Sequence, residues 1–269
     1  VQLLGQIPER MVDRGWDVHI VSAARPEVET YADFPRCHLH RIPMTREASP
    51  LKDLAALISW IYLIHRIKPD IVSAGTPKAG LLGMAAAKIC RTNRRIYVVR
   101  GLRFETLQGA RRTVALLVEF VSAKFSSEIV AVSRSVRLEY LKNQLCKPEK
   151  IQVLGRGASK GVNTALFRPF AGTPADLMSR RENVGLDPTL PTVAYFGRLN
   201  ADKGLQILAE AFGLLTGRGT KFQALIVGPD ESTGRFSKDF FEQNGVPVVV
   251  RGPVRDLSPL YWCADVFCL

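Results

Sequence analysis

The sequence predicts an α/β protein made of two doubly wound domains with parallel sheets, facing each other across a cleft, the second incomplete. Three observations predict it. Short β-rich runs alternate with helical runs of roughly 10–15 residues, the pattern of βαβ units. The alternation breaks once, between Gly155 and Pro174, where four glycines, two prolines and no sustained period read as a linker. And 269 residues exceed one ordinary domain of roughly 100–200 residues. The expected domains are residues 1–165 and 166–269.

Taken in order, residues 5–14 read as the tail of a helix stopped by Gly15. Asp17–Ala23 and His38–Ile42 read as strands. Leu51–Ile67 is a long helix, apolar around most of its girth, expected to pack against the sheet rather than to touch a bilayer. Pro69-Asp70 introduces strand Ile71–Ala74. Then come helix Lys78–Cys90, strand Ile96–Val99, helix Arg111–Phe125, strand Ile129–Val132, helix Val136–Leu145 and strand Ile151–Leu154. After the linker the series restarts. It runs through helix Leu177–Asn183, strand Thr192–Phe196, helix Lys203–Leu215, strand Phe222–Val227, helix Ser237–Gln243, strand Val246–Val250 and the run Val266–Leu269. The chain opens on Val1 inside a helix-like run and stops inside a strand-like one, so it is expected to be a fragment of a longer protein.

Composition narrows the class. No apolar run reaches the roughly 18 residues of a membrane-spanning helix. Five scattered cysteines without a Cys-x-x-Cys pair point to neither a disulfide framework nor a zinc site, and fit a reducing cytosol. The four histidines make no metal spacing; His38 and His40 share one face of a strand and read as structural. The net charge of +12 is one-sided. Residues 1–165 hold 26 Lys and Arg against 14 Asp and Glu, whereas residues 166–269 hold 11 of each. Such an excess suits a membrane surface, a phosphorylated lipid or a nucleic acid, or else it is a solvated basic surface.

In doubly wound sheets, ligands bind at the carboxyl ends of the strands. Six predicted strand ends carry glycine with a cation or a polar group. They are Gly75-Thr76-Pro77-Lys78, Arg100-Gly101-Leu102-Arg103, Gly155-Arg156-Gly157 through Gly161, Gly197-Arg198 through Lys203-Gly204, Gly228-Pro229-Asp230, and Arg251-Gly252-Pro253-Val254. Glycine lets backbone approach a ligand, and cations hold phosphates. The strongest of these loops holds Arg198 and Lys203, two cations between a strand and a helix N-terminus; a diphosphate is the natural occupant. Gly155-x-Gly157-x-x-x-Gly161 differs by one residue from a dinucleotide fingerprint, and the residues after it do not pattern as a helix. A P-loop and a nucleophile elbow are absent.

These motifs together resemble the GT-B glycosyltransferases of family four. The resemblance rests on the loop from Gly197 to Gly204, on Gly161-Val162-Asn163 with Phe167 and Pro169, and on the run Asp256 to Phe267. Thr76–Gly80 and Val99–Arg103 are similar to its bacterial branch that builds capsule, lipopolysaccharide and lipid-linked oligosaccharides. The resemblance implies retaining, metal-independent transfer of a sugar from a nucleoside-diphosphate sugar to an acceptor hydroxyl, with no cofactor. It implies that Arg198 and Lys203 neutralise the departing diphosphate. Gly197 and Gly228 lie along the donor, Arg251, Gly252, Pro253 and Val254 against the base, and Gly155, Gly157 and Gly161 in the loop beside it. Thr76, Lys78, Arg100, Gly101 and Arg103 would face the acceptor. The implied acceptor is an undecaprenyl-diphosphate-linked or other glycan, at the inner face of the cytoplasmic membrane, where an anionic surface would explain the one-sided charge.

The chain departs from the family in three places. Its paired-glutamate motif would lie beyond Leu269, its first strand and glycine loop would precede Val1, and Arg100 stands where many relatives carry histidine. Arg100 therefore has two readings, a grip on phosphate or a surface salt bridge. With those departures the segment alone is expected to be inactive. Two rival functions remain: a nucleotide-sugar epimerase of the same fold, and a non-catalytic anion- or nucleic-acid-binding protein. The former lacks a clear acid/base carboxylate. Against nucleic acid, the cations sit singly at strand ends rather than clustered with aromatics.

Overall fold

In the computed structural model, residues 4–23, 31–45, 49–254 and 256–269 are described. The chain divides into two compact units, Val1–Gly161 and Val162–Leu269. The first contains α1 (Ile7–Val12), β1 (Val18–Ser22), β2 (Cys37–Arg41), α2 (Pro50–Ile67), β3 (Ile71–Ala74), α3 (Pro77–Ile89), β4 (Arg94–Val99), α4 (Gly109–Phe125), β5 (Glu128–Ala131), α5 (Arg134–Lys142) and β6 (Ile151–Val153). The second contains α6 (Pro174–Val184), β7 (Thr192–Phe196), α7 (Leu205–Gly217), β8 (Gln223–Val227), α8 (Lys238–Glu242), β9 (Val248–Arg251), α9 (Ser258–Tyr261) and β10 (Val266–Cys268).

Among the described residues every strand pairing is parallel. In the first unit β1 pairs β2, and a separate sheet runs β3-β4-β5-β6; in the second the order is β10-β7-β8-β9. Parallel strands need crossovers that put helices over the sheet, so central strands are buried on both faces. The run Gln223–Val227 obeys this rule, buried at all five positions.

Local chemistry sets the helix ends. Thr76 caps α3 by accepting from the Ala79 amide, with Pro77 at its first turn. Thr173 and Asp176 form a reciprocal capping box on α6, which starts it three residues before its apolar period does. Ser133 accepts from the Val136 amide and likewise begins α5 at Arg134, ahead of the expected start. The helix expected from Lys203 begins instead at Leu205, because Ala201–Lys203 forms a 3-10 turn and Gly204 takes a left-handed φ of 70°.

The expected packing of α2 into the core is made by one side of the helix. Ala56, Trp60 and Ile64 are buried, but Leu51, Leu54, Ile58 and Tyr62 are exposed. α3 lies between α2 and α4 and is buried at Gly80, Leu82, Gly83, Met84, Ala86 and Ala87. Its alanines and glycines admit that approach: a side chain at Gly80 would come within 2.3 Å of the Tyr97 ring. The histidines do cluster structurally. His19 stacks on His38 with ring centroids 4.7 Å apart, and its Nδ1 lies 2.9 Å from Nε2 of His40. All five cysteines are free thiols, and no described helix is long and apolar enough to cross a membrane.

One polar group lies deep in the first unit. The Glu119 carboxylate on α4 accepts hydrogen bonds from the hydroxyls of Tyr97 on β4 (2.9 Å) and Tyr140 on α5 (3.2 Å), and all three residues are buried. Burial holds the Glu119 carboxyl above its ordinary 4.5, against the pull of the two hydroxyls. The folded protein thus keeps a proton that the unfolded chain releases above pH 4.5, so stability falls as pH rises through that window. Glu119→Gln should flatten this fall. Glu119→Ala should cost roughly 1–3 kcal/mol by stranding the buried Tyr97 hydroxyl, since the Tyr140 hydroxyl keeps the Glu119 backbone carbonyl at 3.1 Å. Urea midpoints measured across pH check both.

Candidate functional site

The three strands β7, β8 and β9 end side by side, and their loops are joined through the backbone. The Gly197 amide donates to the Val227 carbonyl, the Gly228 amide to Arg251, and the Leu199 amide to Pro229. Gly228 has a structural reason to lack a side chain: a Cβ there would lie 1.7 Å from the Gly197 carbonyl oxygen.

On this platform the two cations meet. Arg198 leaves the sheet two residues after β7, and the Tyr195 hydroxyl donates to its carbonyl at 2.9 Å. The 3-10 turn brings Lys203 back, and both side chains reach one carboxylate oxygen. Arg198 Nη2 lies 3.3 Å and Lys203 Nζ 3.6 Å from Oδ2 of Asp202. A second carboxylate, Glu231, pairs with Arg198 Nη1 from the loop after β8 and also accepts from Asn200. Asp202 is therefore no helix cap; α7 is entered through Gly204 without a side-chain cap. All four charged side chains keep contact with solvent.

Glu231 is the residue that sequence reasoning missed. Its loop runs beside the Arg198 loop through a bridge between Leu199 and Asp230, and Asp230 shapes it by accepting from the Ser232 and Gly234 amides. Only the β7–β8 pairing brings these two loops together, and spacing along the chain does not reveal strand order. Arg251 sends its guanidinium away from the loops, to the Asn183 and Val184 carbonyls at the end of α6. That leaves backbone at Gly252, Pro253 and Val254, all exposed.

In the first unit, Arg100 joins three strand ends. Its Nη1 donates to the Gly75 carbonyl after β3, and its Nε to the Ser159 hydroxyl after β6, each at 3.1 Å. Among the described residues no carboxylate pairs with it, which removes the salt-bridge reading. Burial lowers its pKa. Gly155, Gly157 and Gly161 all take positive φ, and a Cβ on Gly157 would meet the Val132 carbonyl at 2.5 Å. Gly101 and Arg103 are exposed. Thr76 and Lys78 already have structural partners: Thr76 caps α3, and Lys78 Nζ lies 2.7 Å from Asp53 on α2. Among the described residues no cluster of His, Cys, Asp and Glu could hold a metal ion.

A family model described as a glycosyl transferase 4-like domain matches residues 4–157, and one described as glycosyl transferases group 1 matches residues 190–269. The chain belongs to the glycosyl transferase 4-like family. It is 35% identical over 266 residues to the capsular polysaccharide biosynthesis glycosyltransferase CapM of Staphylococcus aureus, a match covering 98% of this chain and 67% of CapM. It is 26% identical over 206 residues to the Escherichia coli UDP-Gal:alpha-D-GlcNAc-diphosphoundecaprenol alpha-1,3-galactosyltransferase. That match covers 76% of this chain and 51% of the galactosyltransferase, so the chain spans only about half of that relative. Among solved structures, Anabaena Alr3699/HepE in complex with UDP-glucose superposes with a TM-score of 0.74 at 20% identity, covering 97% of this chain and 67% of that one. This likeness is one of fold, the GT-B fold that the glycosyltransferase motifs implied.

Gly228→Ala should displace the β7 and β8 loops of this glycosyltransferase chain and destabilise it by about 1–3 kcal/mol, as overpacking does. A thermal or urea melt reads the loss.

Proposed function

We propose that the protein transfers a sugar from a nucleoside-diphosphate sugar to an acceptor hydroxyl on a lipid-linked or cell-surface polysaccharide precursor, with retention and without a metal. The observation that carries the reading is the convergence of Arg198 and Lys203 on one carboxylate oxygen of Asp202. Two cations that share an anionic oxygen in the free protein are placed to share the diphosphate of a donor. Negative charge grows on that diphosphate as the glycosidic bond breaks, and a fixed guanidinium and ammonium meet it where it forms. Gly197, Gly228 and the backbone of Gly252, Pro253 and Val254 line the same end of the sheet and would pass along the donor and its base.

The acceptor belongs to the first unit, within the domain at residues 1–165, and the donor to residues 166–269. Arg100 is a half-buried cation bonded, among the described residues, only to neutral groups, which suits the phosphate of a lipid-diphosphate acceptor; Thr76, Lys78, Gly101 and Arg103 would share the acceptor side. The galactosyltransferase relative is named for a diphosphoundecaprenol acceptor and CapM for capsular polysaccharide; both support this class. The protein would work in the cytoplasm, on the inner membrane face.

Arg198→Ala and Lys203→Ala should each lower turnover of the whole protein by ~10²-fold or more, as loss of an oxyanion-type donor does; unchanged turnover in both would overturn the assignment. Because Glu231 competes for Arg198, Glu231→Gln should tighten nucleoside-diphosphate binding about two- to fivefold, the scale of an exposed ion pair. Calorimetric titration measures it.

A further inference from the structure

The outward face of α2 carries more apolar surface than a surface helix needs. Leu51, Leu54, Ile58 and Tyr62 recur along it at helical spacing and are 83%, 55%, 59% and 67% exposed. The opposite face already buries Ala56, Trp60 and Ile64. A helix packed on its core side and still apolar on its solvent side has a second surface to meet. Its charges say which kind. Lys52, His65 and Arg66 are exposed on the same helix, and Lys68 ends it. The one carboxylate of the helix, Asp53, is turned inward; it accepts from the Ser49 amide at 3.0 Å and pairs with Lys78 at 2.7 Å. The outward face thus combines an apolar stripe, flanking cations and no anion, on the unit that holds the whole excess of positive charge.

We propose that this face of α2 lies on an anionic lipid surface. The helix axis runs in the plane of the surface, and the four apolar side chains enter the boundary between headgroups and acyl chains. Lys52, Arg66 and Lys68 keep their charges at the headgroup phosphates, where each gains from the negative surface potential. A second copy of the chain fits poorly here, since it would set two strongly basic units against each other. The inference deepens the membrane-facing part of the function proposed above and rests on that part alone; sugar transfer does not depend on it.

The test is co-sedimentation of the purified whole protein with vesicles of equimolar phosphatidylglycerol and phosphatidylcholine, and with phosphatidylcholine alone. The native protein should bind the anionic vesicles far better, and L54S/I58S should bind them about tenfold more weakly or worse, having lost two aliphatic side chains from the lipid contact. The variant should keep its urea midpoint and its transfer to a water-soluble acceptor. If the variant binds as the native protein does, α2 is not the contact. A native dimer that L54S/I58S dissolves would reassign the face to self-association. No native binding to either vesicle would end the membrane reading, while absent transfer to the soluble acceptor would instead end the glycosyltransferase proposal.

Discussion

Parallel pairing of β7, β8 and β9 is the constraint on which the candidate site depends. With all three strands running the same way, the residues after Phe196, Val227 and Arg251 must leave the sheet along one edge. Backbone hydrogen bonds between those exits then stack the loops so closely that Gly228 has no room for a methyl group. The cations inherit their positions from this stack. Arg198 starts from the Gly197 exit, and the short turn before α7 returns Lys203 to the same place. The first unit repeats the logic, with Arg100 spanning the exits of β3 and β6.

The charges at the second-unit edge are balanced internally and weakly. Asp202 and Glu231 hold Arg198 and Lys203 in exposed pairs, and such pairs are worth about 0–1 kcal/mol. In the proposed donor complex a diphosphate, with more charge and more acceptor oxygens than either carboxylate, would take their place. Until then the carboxylates keep the two cations from repelling one another. Arg100 differs in kind. Its partners are neutral, its surroundings partly dry, and among the described residues no carboxylate pairs with its charge.

Much of this was legible in the residues. Alternating short and long periods gave the α/β class, and the glycine-and-cation endings marked where the strands leave the sheets. Arg198 and Lys203 were readable because both sit in one short loop. Glu231 was not, because its meeting with Arg198 needs the β7–β8 adjacency, a contact across more than thirty positions. The internal partners of Lys78 and Arg251 were hidden for the same reason. Which side of α2 enters the core was not legible: the helix is apolar around most of its girth, and hydropathy alone does not tell which neighbours are there to bury it. Helix starts shifted where Thr173 and Ser133 supplied caps ahead of the apolar period.

The imidazole stack between β1 and β2 makes one corner of the chain sensitive to acid. Burial, then the neighbouring rings, hold His19 and His40 below their usual 6.5, with Asp17 opposing the shift at His19 and Arg66 adding to it at His40. The unfolded strands therefore take up protons that the paired strands refuse, and folding of this sheet weakens as pH drops below 6.5. Neither four-stranded sheet contains a histidine. In mildly acidic buffer the two-stranded sheet would fray first, and amide exchange at Ile20 and Leu39 would quicken while that at Ile129 and Leu225 stayed slow.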